Sequence, residues 1–214
     1  MTAAALKHLS AVDPVMKKLI AEHGACRLEH EPWRAPFQSL VLAVAHQQLH
    51  ATAAGNILGR FKKLFPKRRF PRPADLADVT DARLRACGFS FAKIAALRDI
   101  AAKTLDGTIP SSRAIEKLGD EEIIARLTAA RGVGRWTVEM LLIFQLGRAD
   151  VLPADDFGVR NGFRIAYKKR EMPKPKALLA FGKKWRPHGT TAAWYLWRAA
   201  DAAKRPAKTA KKKK

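Results

Sequence analysis

The chain of 214 residues contains two cysteines, Cys26 and Cys87. Neither stands in a CxxC spacing or beside spaced histidines, which argues against a disulfide scaffold and a structural zinc site. No apolar run approaches the roughly 20 residues that span a bilayer, so no membrane partner is expected. The stretch Met1–Ile20 lacks a long apolar core and a clear cleavage site, so no secretory leader is read there. A reducing cytoplasm is the expected setting, bacterial by default with a nucleus as the alternative. Strand signals are weak, because alternating Val/Ile/Thr runs bounded by hairpin dipeptides are missing. Acidic residues are few, 19 against 41 lysines and arginines, for a net charge of +22. The segment Lys204–Lys214 carries seven of those positive charges, leaving about +15 elsewhere, so the tail alone does not make the chain basic. The partner this points to is a polyanion. The tail reads as disordered and as a source of non-specific, salt-sensitive attraction.

Apolar periodicity of the helical kind runs through most of what is present. Helices are expected over Ala3–His23 (one or two pieces) and, after a breaker at Pro32–Pro36, over Phe37–Phe65 in two pieces. A basic connector, Pro66–Pro73, leads to short helices at Pro73–Leu76 and Thr80–Cys87. Longer ones follow at Ala92–Thr104 and Ser111–Leu118, and at Asp120–Ala130, where Asp120 is the expected N-cap. Arg135–Gln145, Phe157–Lys168, Pro175–Phe181 and Thr190–Ala203 complete an all-α chain. At 48% hydrophobic content it can bury the core of one compact body or two small lobes.

Two signals stand close together between Leu127 and Phe163. The first is the turn Gly132-Val133-Gly134, between a helix that stops and one that starts at Arg135. Glycines permit positive φ and leave backbone N–H groups uncovered, so such a turn and the helix N-terminus behind it can hold a phosphate oxygen. Thr137 adds a hydroxyl, and Arg131 and Arg135 add charge. A tight helix–helix turn with a glycine C-cap is the plainer alternative. The second signal is the pair Asp155 and Asp156 after Pro153, at the head of the helix near Phe157. One of the two is an N-cap. The other is free to work as an anion that activates water or stabilises cationic charge developing on a sugar. The residues alone do not choose between them.

RGVGRWT followed by LPADD resembles the helix-hairpin-helix (HhH-GPD) DNA glycosylase superfamily, and within it the 3-methyladenine DNA glycosylase II branch. AHQQLHATAAGNI (Ala45–Ile57), CGFSFAKIAALRDIA (Cys87–Ala101) and KWRPHGTTAAWYLWR (Lys184–Arg198) extend the likeness over Phe37 to Arg198. The resemblance implies two helical lobes with an active-site cleft between them. One lobe would be residues 1–36 with 153–203. The other would be 37–152, carrying the hairpin at about 120–145, and 204–214 would be a free tail. The family's catalytic aspartate falls on Asp156, which makes Asp155 a cap or supporting residue. The substrate implied is double-stranded DNA with alkylated bases, its target nucleotide flipped out of the stack. The side chain that fills the gap falls in His46–His50. Gln48 aligns best, with Leu49 and His50 as alternatives and a polar residue inside a helix as the ordinary reading of Gln48.

Trp136 and Trp197 match pocket aromatics, which suit a cationic alkylated purine; core packing is their ordinary role. Met140 stands where some relatives place a pocket tyrosine. Strand-cutting members carry a lysine where this chain has Trp136, so the resemblance implies a monofunctional hydrolase that leaves an abasic site. The iron–sulfur branch is excluded, since two cysteines cannot supply four thiolates. An extra N-terminal β-rich domain seen in some relatives is not read in this sequence. No cofactor is implied beyond a monovalent cation, Na or K, which the family hairpin often holds on backbone carbonyls; by position these are Thr128, Ala130 and Val133. The expected protein is a monomer. A glycosylase for a deaminated or mismatched base, and a non-catalytic hairpin protein that binds DNA, are the alternatives.

Overall fold

The computed structural model describes residues 2–31 and 34–204. Most of the tail on which disorder was expected, residues 205–214, therefore lies outside the described residues. The helices are α1 (Ala3–Val12), α2 (Pro14–His23), α3 (Pro36–His46), α4 (Ala51–Lys63), α5 (Asp81–Ala86) and α6 (Phe91–Leu105). They continue as α7 (Ser112–Ile115), α8 (Asp120–Thr128), α9 (Arg135–Phe144), α10 (Phe157–Ala166), α11 (Pro175–Gly182) and α12 (Gly189–Lys204), with single 3-10 turns at Ala74–Leu76 and Lys183–Trp185. No strand occurs among the described residues, in line with the all-α expectation.

The helix ends follow local chemistry. Asp13, Thr80, Ser90 and Ser111 each turn a side-chain oxygen onto an N–H of the first turn that follows. A cap of this kind contributes about 1 kcal/mol. Asp13 with Pro14 behind it also breaks the first expected helix into two. The cap of α8 is Gly119, not Asp120, which lies inside the first turn with Glu121 and Glu122, where their charges oppose the exposed N–H groups.

The chain divides into two compact units, Met1–Glu31 with Leu142–Lys214, and Pro32–Leu141. The division falls inside α9, at Leu142, where Pro153 had been expected. The physical reason is the bonding of the intervening segment. Thr190 of α12 donates its N–H to the Ala149 carbonyl at 3.1 Å, and its hydroxyl accepts from the Val151 N–H at 3.0 Å. Asp150 accepts from the Gly189 N–H at 3.0 Å and from Arg186 at 2.8 Å.

In the first unit, α10 and α12 press together at backbone distance. A Cβ on Gly162 would stand 1.9 Å from the Leu196 carbonyl oxygen, and one on Gly158 would stand 2.8 Å from Cδ1 of Trp197. The two glycines are one turn apart on the same face of α10. Around this seam lie Leu9, Met16, Val159, Phe163, Leu178, Trp185 and Tyr195, all buried.

One charge is buried in that core. Asp13 is 1% exposed. Its Oδ1 accepts the N–H groups of Val15 and Met16, and its Oδ2 accepts from the Tyr167 hydroxyl, the Trp185 indole N–H at 2.9 Å and the Lys184 ammonium at 3.0 Å. Burial alone raises its pKa. The bonds from Tyr167, Trp185, Lys184 and the Met16 N–H outweigh burial and hold the carboxyl below its ordinary range. Asp13 was not singled out in the sequence, since one aspartate before a proline carries no mark of burial.

In the second unit Phe37, Leu40, Val44, Phe61, Phe89, Leu97, Ile100, Ile123, Leu127 and Val138 are buried. Phe61 is the hub of edge-to-face contacts with Phe65, Phe70 and Phe89. The long apolar segment after Pro36 does break in two, at Gln47–His50 between α3 and α4.

Candidate functional site

The candidate carboxylate is placed by α10. The chain turns at Pro153, where the Asp156 N–H donates to the Pro153 carbonyl at 3.1 Å, and Asp156 takes the N-cap position. Its Oδ1 accepts the Val159 N–H at 2.8 Å and the Trp197 indole N–H at 2.8 Å. Asp155 is exposed, with Asp156 half-buried. The expected split, one aspartate as cap and the other as catalyst, is therefore corrected. Asp156 does the capping itself, because only the residue directly before Phe157 can reach the N–H groups of the first turn. An anion there sits at the positive end of the helix dipole.

Trp197, expected as a pocket aromatic or as a core residue, is half-buried beside Asp156. Its ring stacks on Phe144 with centroids 5.9 Å apart and planes 23° apart, and its polar edge is directed at Asp156. Gly158 makes this approach possible, since a Cβ there would also stand 3.1 Å from Oδ1 of Asp156. The chemical result is a carboxylate with one oxygen fixed by two donors.

The hairpin lies in the second unit. α8 ends at Thr128, and the Val133 N–H donates to the Ala130 carbonyl at 3.1 Å. α9 then begins, with the Gly134 carbonyl accepting from Val138. Only one of the two glycines needs its freedom. Gly132 has φ +76°, and a Cβ on it would meet Ala96 at 3.3 Å. Gly134 is exposed, and a Cβ on it would meet open space. Val133 between them is buried as an anchor. Thr137 is half-buried in the first turn of α9.

Arg135 is not the free cation the sequence suggested. Its guanidinium donates to both carboxylate oxygens of Glu121 and, through Nε, to Glu139 at 3.0 Å. The Glu121 bonds first, and Glu139 after them, raise its pKa against the effect of burial. It ties α8 to α9 across the turn, and its fork is occupied. The spacing Arg135-x-x-x-Glu139 carries this signal in the sequence. Trp136 is 48% exposed, with half-buried Met140 one turn further along α9 on the same face.

Gln48, Leu49 and His50 form the exposed turn between α3 and α4, and His50 holds the N-cap position of α4. Gln48 is in the left-handed region at φ +56°, which costs a residue with a Cβ roughly 1–2 kcal/mol. The helix-interior reading of Gln48 is thus excluded. Three residues at this turn and at the hairpin escaped the sequence reading. The Gln47 side chain donates to the Gly132 carbonyl at 2.8 Å. Lys93 donates to the carbonyls of Ala45 and Gln47, each at 2.9 Å. Asp99 accepts the Arg131 N–H at 2.7 Å. Their partners lie 85, 48, 46 and 32 residues away, beyond any local pattern.

No group of three or more His, Cys, Asp or Glu side chains suited to a metal occurs among the described residues. The carbonyls of Thr128, Ala130 and Val133 bracket the hairpin. That of Ala130 already accepts one N–H, and a carbonyl oxygen has a second lone pair. As hard oxygen donors they fit a monovalent cation in type.

Known proteins resemble this chain over most of its length. The DNA-3-methyladenine glycosylase 1 of Schizosaccharomyces pombe is 43% identical over 197 residues, covering 92% of this chain and 86% of the relative. The structure of the S. pombe 3-methyladenine DNA glycosylase Mag1 in complex with abasic DNA superposes with a TM-score of 0.81 at 42% identity, covering 95% of this chain and all of that one. A DNA-3-methyladenine glycosidase from Bacillus halodurans superposes with a TM-score of 0.84 at 35% identity, covering 94% and 91% of the two chains. The family model of the HhH-GPD superfamily base excision DNA repair proteins matches residues 41–187, which include the loop, the hairpin and Asp156. The chain belongs to the HhH-GPD superfamily of base excision DNA repair proteins.

Proposed function

We propose that the chain is a DNA glycosylase that hydrolyses the N-glycosidic bond of alkylated purines, such as 3-methyladenine and 7-methylguanine, flipped out of duplex DNA. The observation that carries this is Asp156, an anion at a helix N-terminus with Oδ1 held by Trp197 and Val159. As the bond breaks, the deoxyribose gains oxocarbenium character. A fixed carboxylate stabilises that cation and orients the attacking water without reorganising at the moment of reaction. An alkylated purine already carries positive charge and leaves readily. The exposed indole of Trp136 offers such a cationic ring an aromatic face.

The N–H groups at the Gly132–Gly134 turn and the start of α9 hold a phosphate, and Gln48, at the tip of its turn, fills the space of the flipped nucleotide. A tryptophan in place of a lysine at position 136 supports hydrolysis without a Schiff base and without strand cleavage. The protein acts as a monomer. A monovalent cation on the hairpin carbonyls would stiffen the turn and takes no part in bond cleavage.

The test is release of free base from alkylated duplex DNA by the wild type and by Asp156→Asn. Release of methylated purines by the wild type only is the expected result. DNA binding by both without release from any alkylated substrate would overturn the reading in favour of another lesion or a binding protein. Strand breaks that appear only after hot alkali would support the monofunctional reaction, and breaks without alkali would refute it.

A further inference from the structure

Gln47, Lys93 and the hairpin make a connection that the reaction chemistry does not use. Lys93 is half-buried and closes the C-terminus of α3, directing its ammonium at the carbonyls of Ala45 and Gln47. Burial pulls its pKa down, so the two carbonyl bonds are the compensation for a charge partly removed from water. The Gln47 side chain then reaches across to the Gly132 carbonyl, at the one residue of the hairpin turn in the left-handed region. The next residue after Gln47 is Gln48, itself left-handed at φ +56°. From the other side, Asp99 holds the Arg131 N–H and is paired with Lys103. The two bends therefore share one hydrogen-bonded frame within a single unit: the strained Gln48 is adjacent to it and the left-handed Gly132 is bonded by it.

We infer that Gln47 and Lys93 are positioning residues that latch the gap-filling turn to the hairpin, fixing the distance between the phosphate grip and the side chain inserted into the base stack. This rests on the glycosylase reading of the hairpin and of Gln48. Flipping is a two-part act. A phosphate must be held while a side chain replaces the extruded nucleotide, and a turn free to move would lose insertion without losing grip. Neither Gln47 nor Lys93 need touch the reacting atoms for this.

The test uses the full chain as wild type, Gln47→Ala, Lys93→Met and Lys93→Arg. Affinity is measured for an intact duplex and for the same duplex with one abasic site. Single-turnover excision is measured on an alkylated purine that is paired and on the same base in a single strand. Loss of the latch should cut the abasic-over-intact preference and the paired-substrate rate by about tenfold. Intact-duplex affinity and the single-strand rate should stay within about twofold. Lys93→Arg, which keeps the donors, should recover most of the loss. Equal losses on paired and single-strand substrates, or wild-type preference in both Gln47→Ala and Lys93→Met, would overturn the latch. So would a wild type that shows no preference for the abasic duplex. Absence of excision by the wild type would remove the glycosylase reading instead, and the two-duplex affinity ratio would still decide on the latch.

Discussion

The Trp197 indole N–H and the Asp156 carboxylate meet at 2.8 Å, on the same oxygen that accepts the Val159 N–H. Capping and orienting the carboxylate are thereby one arrangement, and its parts respond differently to substitution.

Asp156→Asn keeps a side-chain oxygen at the N-cap, and asparagine caps as well as aspartate. The melting temperature should hardly move and DNA should still bind. Base release should fall by at least about 100-fold, the usual cost of removing an electrostatic stabiliser of the transition state. Excision within tenfold of the wild type would show that the charge is not the catalyst.

Trp197→Phe removes the donor and leaves an aromatic ring for Phe144. Loss of one hydrogen bond to a charged group is worth about 1.5 kcal/mol, or roughly tenfold in rate. The loss should appear in kcat with KM unchanged, because the bond orients a group that acts in the transition state. A rise in KM alone would make Trp197 a wall of the substrate pocket.

The two hairpin glycines should separate fold from binding. Gly132→Ala puts a Cβ at φ +76° and 3.3 Å from Ala96, so the protein should lose roughly 1–2 kcal/mol of stability in urea unfolding. Gly134→Asp has open space and should leave stability unchanged. The new anion should weaken DNA binding about fivefold through roughly 1 kcal/mol of repulsion from a phosphate. Equal affinity for Gly134→Asp and the wild type would place the turn away from DNA.

Acid sensitivity should trace to Asp13. Its folded pKa is depressed, so its contribution is complete above the unfolded value of about 3.9 and is lost as pH falls through the folded value. Asp13→Asn should lower stability at neutral pH, because Lys184, Tyr167 and Trp185 lose their shared anion. Its stability should then vary less than that of the wild type below about pH 4. Parallel pH curves for the two proteins would assign the acid response elsewhere.

What the sequence revealed and what it hid follow from range. Helix positions, the division of Phe37–Phe65 into two pieces and the turn at Gly132 were legible because apolar period, glycine and capping residues act over a few positions, whereas the place of that division, at Gln47–His50, was not. Pro153 misled as a boundary, since the bonds that tie residues 149–151 to Thr190 are about 40 residues long in sequence. Charge counting made Arg135 a phosphate ligand, although Glu139 one turn away already pointed to an ion pair. By their residues alone Asp155 and Asp156 were indistinguishable; the resemblance pointed to Asp156, and the turn at Pro153 shows that this same residue is the N-cap. Lys93, Asp99 and Gln47 left no local mark, because a lone lysine, aspartate or glutamine on a helix resembles any solvated residue.

The seam at Gly158 and Gly162 has a consequence for how the enzyme fails. Asp156 and its indole donor stand on a helix pair whose backbones meet at Gly162, with no side chain there to act as a cushion. Alanine at Gly162 cannot be absorbed by a rotamer change, since the neighbour is the Leu196 carbonyl. A helix shift large enough to admit one methyl group would also move Asp156 relative to Trp197. In this unit the Asp156–Trp197 bond is therefore tied to the helix pair: warming or mutation should break it abruptly, at the point where the two helices part, rather than by gradual loosening.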